Sequence, residues 1–184
     1  MARPETVKRV HTAVLSLAER GGSGALTMEG IAAEAGVGKQ TLYRSWPSVH
    51  AVLFDALAGE SATPDATPGD LTIVELLQAS IDEISTEPRS TLLRMLAASI
   101  QADEEVAQQF RERLWEPQLA QMTELVATAG YANPRASTEL LLAPIFYRWF
   151  LRLPQFREEE LREYAERVLE LDRDLPPSAT GRHS

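Results

Sequence analysis

The stretch TMEGIAAEAGVGKQTLYRSW, residues 27–46, predicts two short helices joined by a tight turn. Thr27 is a residue type that favours the N-cap of a helix, and Gly36 suits a chain reversal because glycine adopts positive φ without strain. Ile31 and Leu42 belong to apolar sets with helical spacing, so each helix has a face that can pack. The pattern is typical of a helix-turn-helix, whose second helix enters the major groove of DNA.

The second helix of the pair carries side chains that suit contact with DNA. Lys39 and Gln40 are residue types that donate hydrogen bonds to guanine or adenine edges. Thr41 and Tyr43 suit phosphate oxygens, and Arg44 suits either target. We therefore predict that this helix reads DNA. The alternatives are core packing for Tyr43 and simple solvation for Lys39.

The charge of the chain does not oppose this prediction once it is divided. The chain has 18 basic and 27 acidic side chains, of which residues 1–60 hold six of each. The remaining residues hold 12 basic and 21 acidic side chains and therefore carry the whole net charge of −9. A neutral N-terminal segment can approach phosphate even when the rest of the protein is acidic.

Composition excludes several classes of function. There is no cysteine, the three histidines are scattered, and no Walker or dinucleotide-binding glycine pattern occurs. We therefore expect no metal site, no cofactor and no catalytic residue, so the chain is predicted not to be an enzyme. No apolar run reaches membrane-spanning length, and the first residues do not form a signal peptide, so a cytoplasmic protein without a membrane partner is predicted.

Helical spacing continues along the chain and strand signals are nearly absent, which predicts an all-α fold of about nine helices. Residues 1–58 are predicted to form the helix-turn-helix domain, 59–69 a linker or a mobile loop, 70–173 a second helical domain, and 174–184 a flexible tail. In the second domain, helices are expected at about 70–86, 89–101, 103–129, 134–152 and 157–173. Pro117 and Pro144 are expected to kink the helices that contain them.

The segment LTMEGIAAEAGVGKQTLYRSWPS, residues 26–48, followed by a helix, resembles the DNA-binding segment of the tetracycline-repressor (TetR) family of bacterial transcriptional regulators. Upstream, residues 13–27 are similar to the first helix and glycine-rich turn of that family. Residues 141–171 are similar to the last two helices of one branch. The resemblance implies a homodimer whose three N-terminal helices bind double-stranded operator DNA, with a larger helical domain that dimerises and holds a small-molecule effector.

By position, the resemblance implies base contacts for Lys39 and Gln40 and phosphate contacts for Thr27, Thr41 and Tyr43. The full set predicted to bind DNA is Thr27, Gly38, Lys39, Gln40, Thr41, Tyr43, Arg44 and His50. One position departs from the family, because Val49 stands where a phosphate-binding lysine is common. Glu29 also occupies a position that is basic in some members. We therefore expect a shallow salt dependence, with part of the phosphate contact made by the N-terminal residues Arg3, Lys8 and Arg9.

Two further sets of residues are predicted in the second domain. Apolar residues at helical spacing line either an effector cavity or the core: Leu92, Met95, Trp115, Met122, Phe146 and Tyr147. Arg94 and Arg148 interrupt apolar stretches, so each needs an acidic effector or a nearby glutamate as its partner. The last helix has an apolar face, which comprises Leu161, Tyr164, Val168 and Leu171. Together with Phe150 on the preceding helix, this face packs either within the protomer or in a four-helix contact between subunits.

The sequence thus predicts a dimeric DNA-binding regulator, most simply a repressor that binds a palindromic operator and is released by an effector. The alternative is an all-helical ligand-binding or interaction protein whose helix-turn-helix no longer functions. Selection of a palindromic site from random DNA distinguishes the two hypotheses.

Overall fold

The computed structural model describes residues 3–21, 23–60 and 72–174, and this part of the chain contains helices and no strand. The α-helices are Pro4–Gly21 (α1), Met28–Ala35 (α2), Lys39–Ser45 (α3), Val49–Glu60 (α4), Ile73–Ser85 (α5), Arg89–Ser99 (α6), Glu104–Phe110 (α7), Glu116–Thr128 (α8), Pro134–Phe150 (α9) and Glu158–Asp174 (α10). A π-helical run at Arg111–Trp115 joins α7 to α8. With 104–128 counted as one helical run, the described residues form nine helices, and the all-α prediction is confirmed.

The helix ends lie within a few residues of the predicted ones, except that α4 extends to Glu60, into the predicted linker. Residues 61–71 and 175–184, which hold the rest of that linker and nearly all of the predicted tail, lie outside the described residues. The predicted division into domains therefore stays a prediction. Among the residues that the structure describes, no helix is both long and apolar enough to cross a membrane.

The described part of Met1–Pro64 and Glu83–Trp115 forms one compact unit with its own hydrophobic core. In this unit α1 packs on both α2 and α4. Val10 and Val14 of α1 and Phe54 and Leu57 of α4 are completely buried. These side chains recur every three or four residues, the spacing that places them on one face of each helix.

A carboxylate joins three elements of this unit. Oδ2 of Asp55, on α4, accepts hydrogen bonds from Nε1 of Trp46, at the end of α3, and from Nε2 of His11, on α1, each at 3.0 Å. Trp46 is itself buried, so its indole is fixed both by packing and by a polar contact. The end of α3 is thereby tied to α1 and α4.

The described part of Asp65–Asp82 and Glu116–Ser184 forms a second compact unit, in which α9 packs on α8 and α10. Its core includes Leu119, Leu141 and Leu161, none of which has exposed surface. The carboxylate of Asp172, near the end of α10, is also buried. It accepts hydrogen bonds from residues at the start of α9, which joins these two helices across a long stretch of sequence.

The helix predicted over 103–129 changes its hydrogen-bond pattern just before Pro117. Because proline has no N–H, it cannot donate to the carbonyl of Arg113, and the α-helical ladder cannot pass through this point unchanged. The structure forms the π-helical run Arg111–Trp115 here and resumes as α8 at Glu116.

Candidate nucleic-acid interface

The helix-turn-helix is built by local interactions that the sequence predicts. The hydroxyl of Thr27 caps α2 by accepting a hydrogen bond from the N–H of Gly30 at 3.0 Å. Gly30 is required here, since a Cβ at this position would lie 2.7 Å from the carbonyl oxygen of Ala25. Gly36 ends α2 with φ of 61°, a left-handed conformation that glycine adopts without strain, and its N–H donates to α2 carbonyls. The predicted cap, turn and positive φ are confirmed.

The helix α3 is held by its apolar side and exposes the opposite side. Leu42 and Trp46 are buried, whereas Tyr43 has 46% of its surface exposed and its neighbour Arg44 is exposed as well. Lys39 and Gln40, one turn earlier, are exposed on the same side of the helix. The structure therefore brings four of the predicted DNA-binding residues of α3 onto one solvent-facing surface, whereas the predicted phosphate-binding residue Thr41 is half-buried.

Most donors on this surface are unpaired. Within the described residues, the side chains of Gln40, Tyr43 and Arg44 form no hydrogen bond or ion pair. Lys39 is the exception, because its Nζ lies 3.5 Å from Oε1 of Glu29 in the first turn of α2. The surface thus presents two formal cations with one acidic neighbour, which suits a polyanion.

The two flanking predicted residues, Thr27 and Gly38, are placed at helix N-termini. Thr27 uses its oxygen as the cap of α2, but its hydroxyl hydrogen remains able to donate to a phosphate. Gly38 precedes α3 with φ of −67° and ψ of 140°, a conformation open to any residue. A Cβ there would meet nothing closer than the Thr41 hydroxyl at 4.0 Å. The backbone therefore does not require glycine at this position, and its role in DNA binding stays a prediction.

His50 lies in the first turn of α4 and is bound to α6. Its Nε2 is 3.0 Å from Oγ of Ser99, and this hydroxyl also donates to the carbonyl of Met95 at 3.1 Å. The contact with Ser99 occupies Nε2 of His50 and leaves Nδ1 as the only ring nitrogen that could contact a phosphate.

The residues predicted for effector binding are distributed over the two compact units. Leu92, Met95 and Trp115 belong to the first unit, and Met122, Phe146 and Tyr147 belong to the second. They also differ in exposure: Leu92 and Met122 are buried core residues, Met95, Trp115 and Phe146 are half-buried, and Tyr147 is 60% exposed. The effector assignment stays a prediction for all six residues.

The partners of the two arginines that interrupt apolar stretches lie within the chain. The guanidinium of Arg94 is 3.6 Å from the carboxylate of Glu87, so the predicted glutamate partner is confirmed for this residue. Arg148 instead stacks over the ring of Phe156 at 4.3 Å and donates to the carbonyl of Pro154 at 2.8 Å. An acidic residue also lies near Arg148, because the pKa of the Glu160 carboxyl is lowered chiefly by hydrogen bonds from Arg157 and in part by the charge of Arg148. The predicted nearby glutamate is therefore present, and an aromatic face and a carbonyl make the direct contacts with the cation.

The residues predicted for the subunit contact fall into two groups. Leu161 and Val168 are buried within one copy of the chain, and Tyr164 is half-buried against Phe156, with 5.4 Å between ring centroids. These three side chains therefore pack within the protomer, as in the alternative that the sequence left open. Phe150 and Leu171 are more than half exposed and remain available to a partner.

Sequence reasoning missed two neighbours of the predicted site, Glu29 as the ion partner of Lys39 and Ser99 as the partner of His50. The first pair is ten residues apart across the turn, so the helix-turn-helix geometry itself signals their proximity. The second pair is separated by 49 residues, and no local pattern relates them.

Comparison with known proteins agrees with this geometry. Residues 12–56 match the family described as "Bacterial regulatory proteins, tetR family", and residues 63–168 match "Tetracyclin repressor-like, C-terminal domain". The chain is 24% identical over 169 residues to the uncharacterized HTH-type transcriptional regulator YdeS of Bacillus subtilis, covering 86% of this chain and 85% of that protein.

Two solved structures share the fold along most of their length. The TetR family transcription regulator SCO0332 superposes with a TM-score of 0.68 at 23% identity, covering 90% of this chain and 97% of the other. The flavonoid-responsive regulator FrrA superposes with a TM-score of 0.64 at 18% identity, covering 96% and 100%.

The match to the C-terminal domain alone spans more than half of the 184 residues, and the match to the N-terminal domain covers the helix-turn-helix described above. The prediction that the chain is not an enzyme is confirmed, because this family consists of regulators. The chain belongs to the TetR family of DNA-binding transcriptional regulators.

Proposed function

We propose that this regulator is a repressor that binds a palindromic operator as a homodimer and leaves it when a small-molecule effector binds. The observation that carries the DNA-binding part is the exposed face of α3. Gln40, Tyr43 and Arg44 have no partner among the described residues, while Leu42 and Trp46 fix the helix from its other side. A rigid helix with unpaired donors needs little reorganisation to bind a groove.

The residue types on this face suggest a division of roles. Lys39 and Gln40 reach base edges, where each good contact discriminates against a wrong base. Thr41 and Tyr43 hold phosphates, with Thr27 as a further hydroxyl donor, which positions the helix without reading sequence. Arg44, on the same face, suits either target, and Gly38 and His50 complete the proposed set.

A homodimer is supported by apolar surface that one copy leaves exposed in the second compact unit. Leu140, Tyr147 and Phe150 lie on one face of α9, at spacings of seven and three residues, and each is more than half exposed. Leu171 of α10 is exposed to the same extent. A two-fold contact through this surface would give the dimer two copies of α3, one for each half-site of a palindromic operator.

Control by an effector is supported less directly. The chain has methionine and aromatic residues that are neither fully buried nor fully exposed, including Met95, Trp115 and Phe146. Such side chains commonly line sites for small organic molecules. The similarity to a regulator named as flavonoid-responsive supports the same class of function. We accordingly place the protein in the cytoplasm, where its DNA would be.

The test begins with selection of binding sites from random double-stranded DNA by the full chain. We expect enrichment of a two-fold symmetric sequence. The Lys39→Ala/Gln40→Ala variant should lose the enrichment, while Arg167→Ala, an exposed arginine of α10, should keep it. If the unmodified chain enriches no sequence, the protein is instead an interaction or ligand-binding protein with a helix-turn-helix that no longer functions.

Effector control is tested on the selected operator. A set of small aromatic and acidic molecules is titrated into the complex while the bound fraction of operator is followed by fluorescence anisotropy. Release by one compound, together with weaker binding of that compound to the operator complex than to the free protein, would establish reciprocal coupling. Equal operator affinity with every compound would leave a constitutive DNA binder.

A further inference from the structure

Glu29 is an acidic residue in contact with the exposed surface of α3 that is proposed to read DNA. It lies in the first turn of α2, and its Oε1 is 3.5 Å from Nζ of Lys39, the first residue of α3. Both side chains are more than half exposed, at 57% for Glu29 and 63% for Lys39. The pair therefore stands on the surface that a DNA molecule would cover.

This ion pair contributes little to holding the fold. Exposed pairs are screened by water and salt, and the helix-turn-helix already has its cap at Thr27, its left-handed turn at Gly36 and its packed residue at Leu42. The charge at position 29 can therefore be changed with little loss of stability, and its effect on groups that approach the surface can be measured separately. It reduces the field of Lys39 in the free protein and repels negative groups near α2.

A carboxylate in this place does not oppose all modes of DNA binding equally. A phosphate oxygen carries negative charge, so it is repelled by Glu29 and gains less from a lysine that is already neutralised. A guanine edge offers O6 and N7 as acceptors without net charge, so the repulsion is weaker and the hydrogen bonds remain available. Sequence-independent binding depends almost entirely on phosphate contacts.

We propose that Glu29 is a specificity-determining residue, which restrains Lys39 from phosphates and thereby weakens binding to non-specific DNA more than binding to the operator. The proposal rests on the proposed use of α3 as the reading helix. The observation behind it is that Glu29 pairs with Lys39, a predicted base-reading residue.

The experiment compares the wild-type chain with Glu29→Gln, Lys39→Met and the double variant. Glutamine keeps the size of the side chain and removes its charge, and Glu19→Gln, an exposed glutamate of α1, is the matched control. Dissociation constants are measured for the selected operator and for a scrambled duplex over a series of salt concentrations. Thermal unfolding of each variant confirms that the fold is kept.

We expect Glu29→Gln to bind the scrambled duplex about two- to fivefold more tightly, the range that one exposed charge pair allows. Its slope of log K against log salt should steepen by about one, as for one added phosphate contact. Operator affinity should rise less, so the ratio of specific to non-specific affinity should fall. In the Lys39→Met background, the same change should have a smaller effect on the scrambled duplex.

Two different failures can be told apart. If Lys39→Met binds the operator as the wild type does, α3 is not used as proposed, and both the site and the role of Glu29 are refuted. If Lys39→Met loses operator affinity but Glu29→Gln leaves the specificity ratio unchanged or raises it, only the role of Glu29 is refuted.

Discussion

The hydroxyl of Tyr164, on α10, donates a hydrogen bond to the carbonyl oxygen of Leu140, on α9. In a regular helix this carbonyl would accept from the N–H of residue 144, but residue 144 is proline and has none. Burial raises the pKa of Tyr164, so the hydroxyl keeps its proton at neutral pH. The neighbouring helix therefore supplies the donor that Pro144 removes.

This relationship predicts that Tyr164→Phe lowers the free energy of unfolding by about 1 kcal/mol, the usual net value of one hydrogen bond. Phenylalanine keeps the stacking on Phe156, so the loss reports the hydroxyl alone. In a Pro144→Ala background, the restored N–H can donate to Leu140, and the same substitution should then cost clearly less. Urea unfolding of the four proteins of this cycle measures the difference.

The control for this cycle is Tyr43→Phe, since Tyr43 is exposed and its hydroxyl has no partner among the described residues. This change should leave the free energy of unfolding within about 0.5 kcal/mol of the wild type. If Tyr164→Phe lowers the free energy of unfolding equally with proline and with alanine at position 144, the Tyr164 hydroxyl and Pro144 act independently.

The sequence predicted the helix-turn-helix well because short-range chemistry determines it. The cap at Thr27, the left-handed residue at Gly36 and the four-residue spacing of Leu42 and Trp46 each concern residues a few positions apart. The element bounds and the exposed face of α3 follow from these local signals.

Contacts across long stretches of sequence could not be predicted in the same way. Ser99 lies 49 residues from His50, and Ser137 lies 35 residues from Asp172. The apolar spacing on α10 showed that Leu161 packs against a helix, but not whether that helix belongs to the same copy of the chain. Periodicity identifies a buried face and leaves its partner open.

Asp172 should make the stability of the protein depend on acid pH. Burial acts to raise the pKa of its carboxyl, but hydrogen bonds from the Ser137 hydroxyl and from the N–H groups of Ala132 and Asn133 together hold the pKa below its ordinary value. The carboxylate therefore stabilises the fold fully above the unfolded-state pKa of about 4, and this stabilisation is lost as pH falls through the lower, folded-state pKa.

We expect Asp172→Asn to lower the free energy of unfolding at pH 7 by about 2 kcal/mol, the scale of a charge-assisted hydrogen bond. The difference between wild type and variant should stay constant down to about pH 5 and shrink below about pH 4. Urea unfolding at several pH values measures it, with Glu170→Gln, an exposed acid of α10, as control. A difference that does not change between pH 7 and pH 3 would contradict the role of the carboxylate.

Position 49 should control the salt dependence of DNA binding. Val49→Lys places a flexible cation at the start of α4, beside His50, whose Nε2 is committed to Ser99. We expect the slope of log K against log salt to steepen by about 0.9, the value for one phosphate contact. Val49→Met, which adds length without charge, should leave the slope unchanged. A wild-type slope already typical of many contacts would refute the expected shallow dependence.

Gln40 and Tyr43 should affect DNA binding in different ways. If Gln40 reads a base, Gln40→Ala weakens binding to the operator by about 1–3 kcal/mol and relaxes selection at one base pair in each half-site. If Tyr43 holds a phosphate, Tyr43→Phe weakens binding to operator and scrambled DNA by similar factors. Site selection followed by titration of both duplexes separates the two effects, and the opposite pattern would exchange the assigned roles.

The exposed face of α9 should carry the contact between subunits. Tyr147 and Phe150 are each about 60% exposed, so replacing them alters the surface of the protomer and not its core. We expect the wild type to sediment as a dimer at micromolar concentration and Tyr147→Glu/Phe150→Glu to sediment as a monomer. Because a palindrome binds two copies, loss of the dimer should also lower the affinity for the operator. Thermal unfolding of the variant protomer should stay cooperative.

Arg162→Glu, an exposed change on α10, tests whether added negative charge alone separates the subunits. It should remain dimeric, because it introduces charge on a polar side chain and removes no exposed apolar surface. A wild-type protein that sediments as a monomer, or a Tyr147→Glu/Phe150→Glu variant that stays dimeric, would exclude this face. The exposed Leu171 of α10 would then be the next residue to replace.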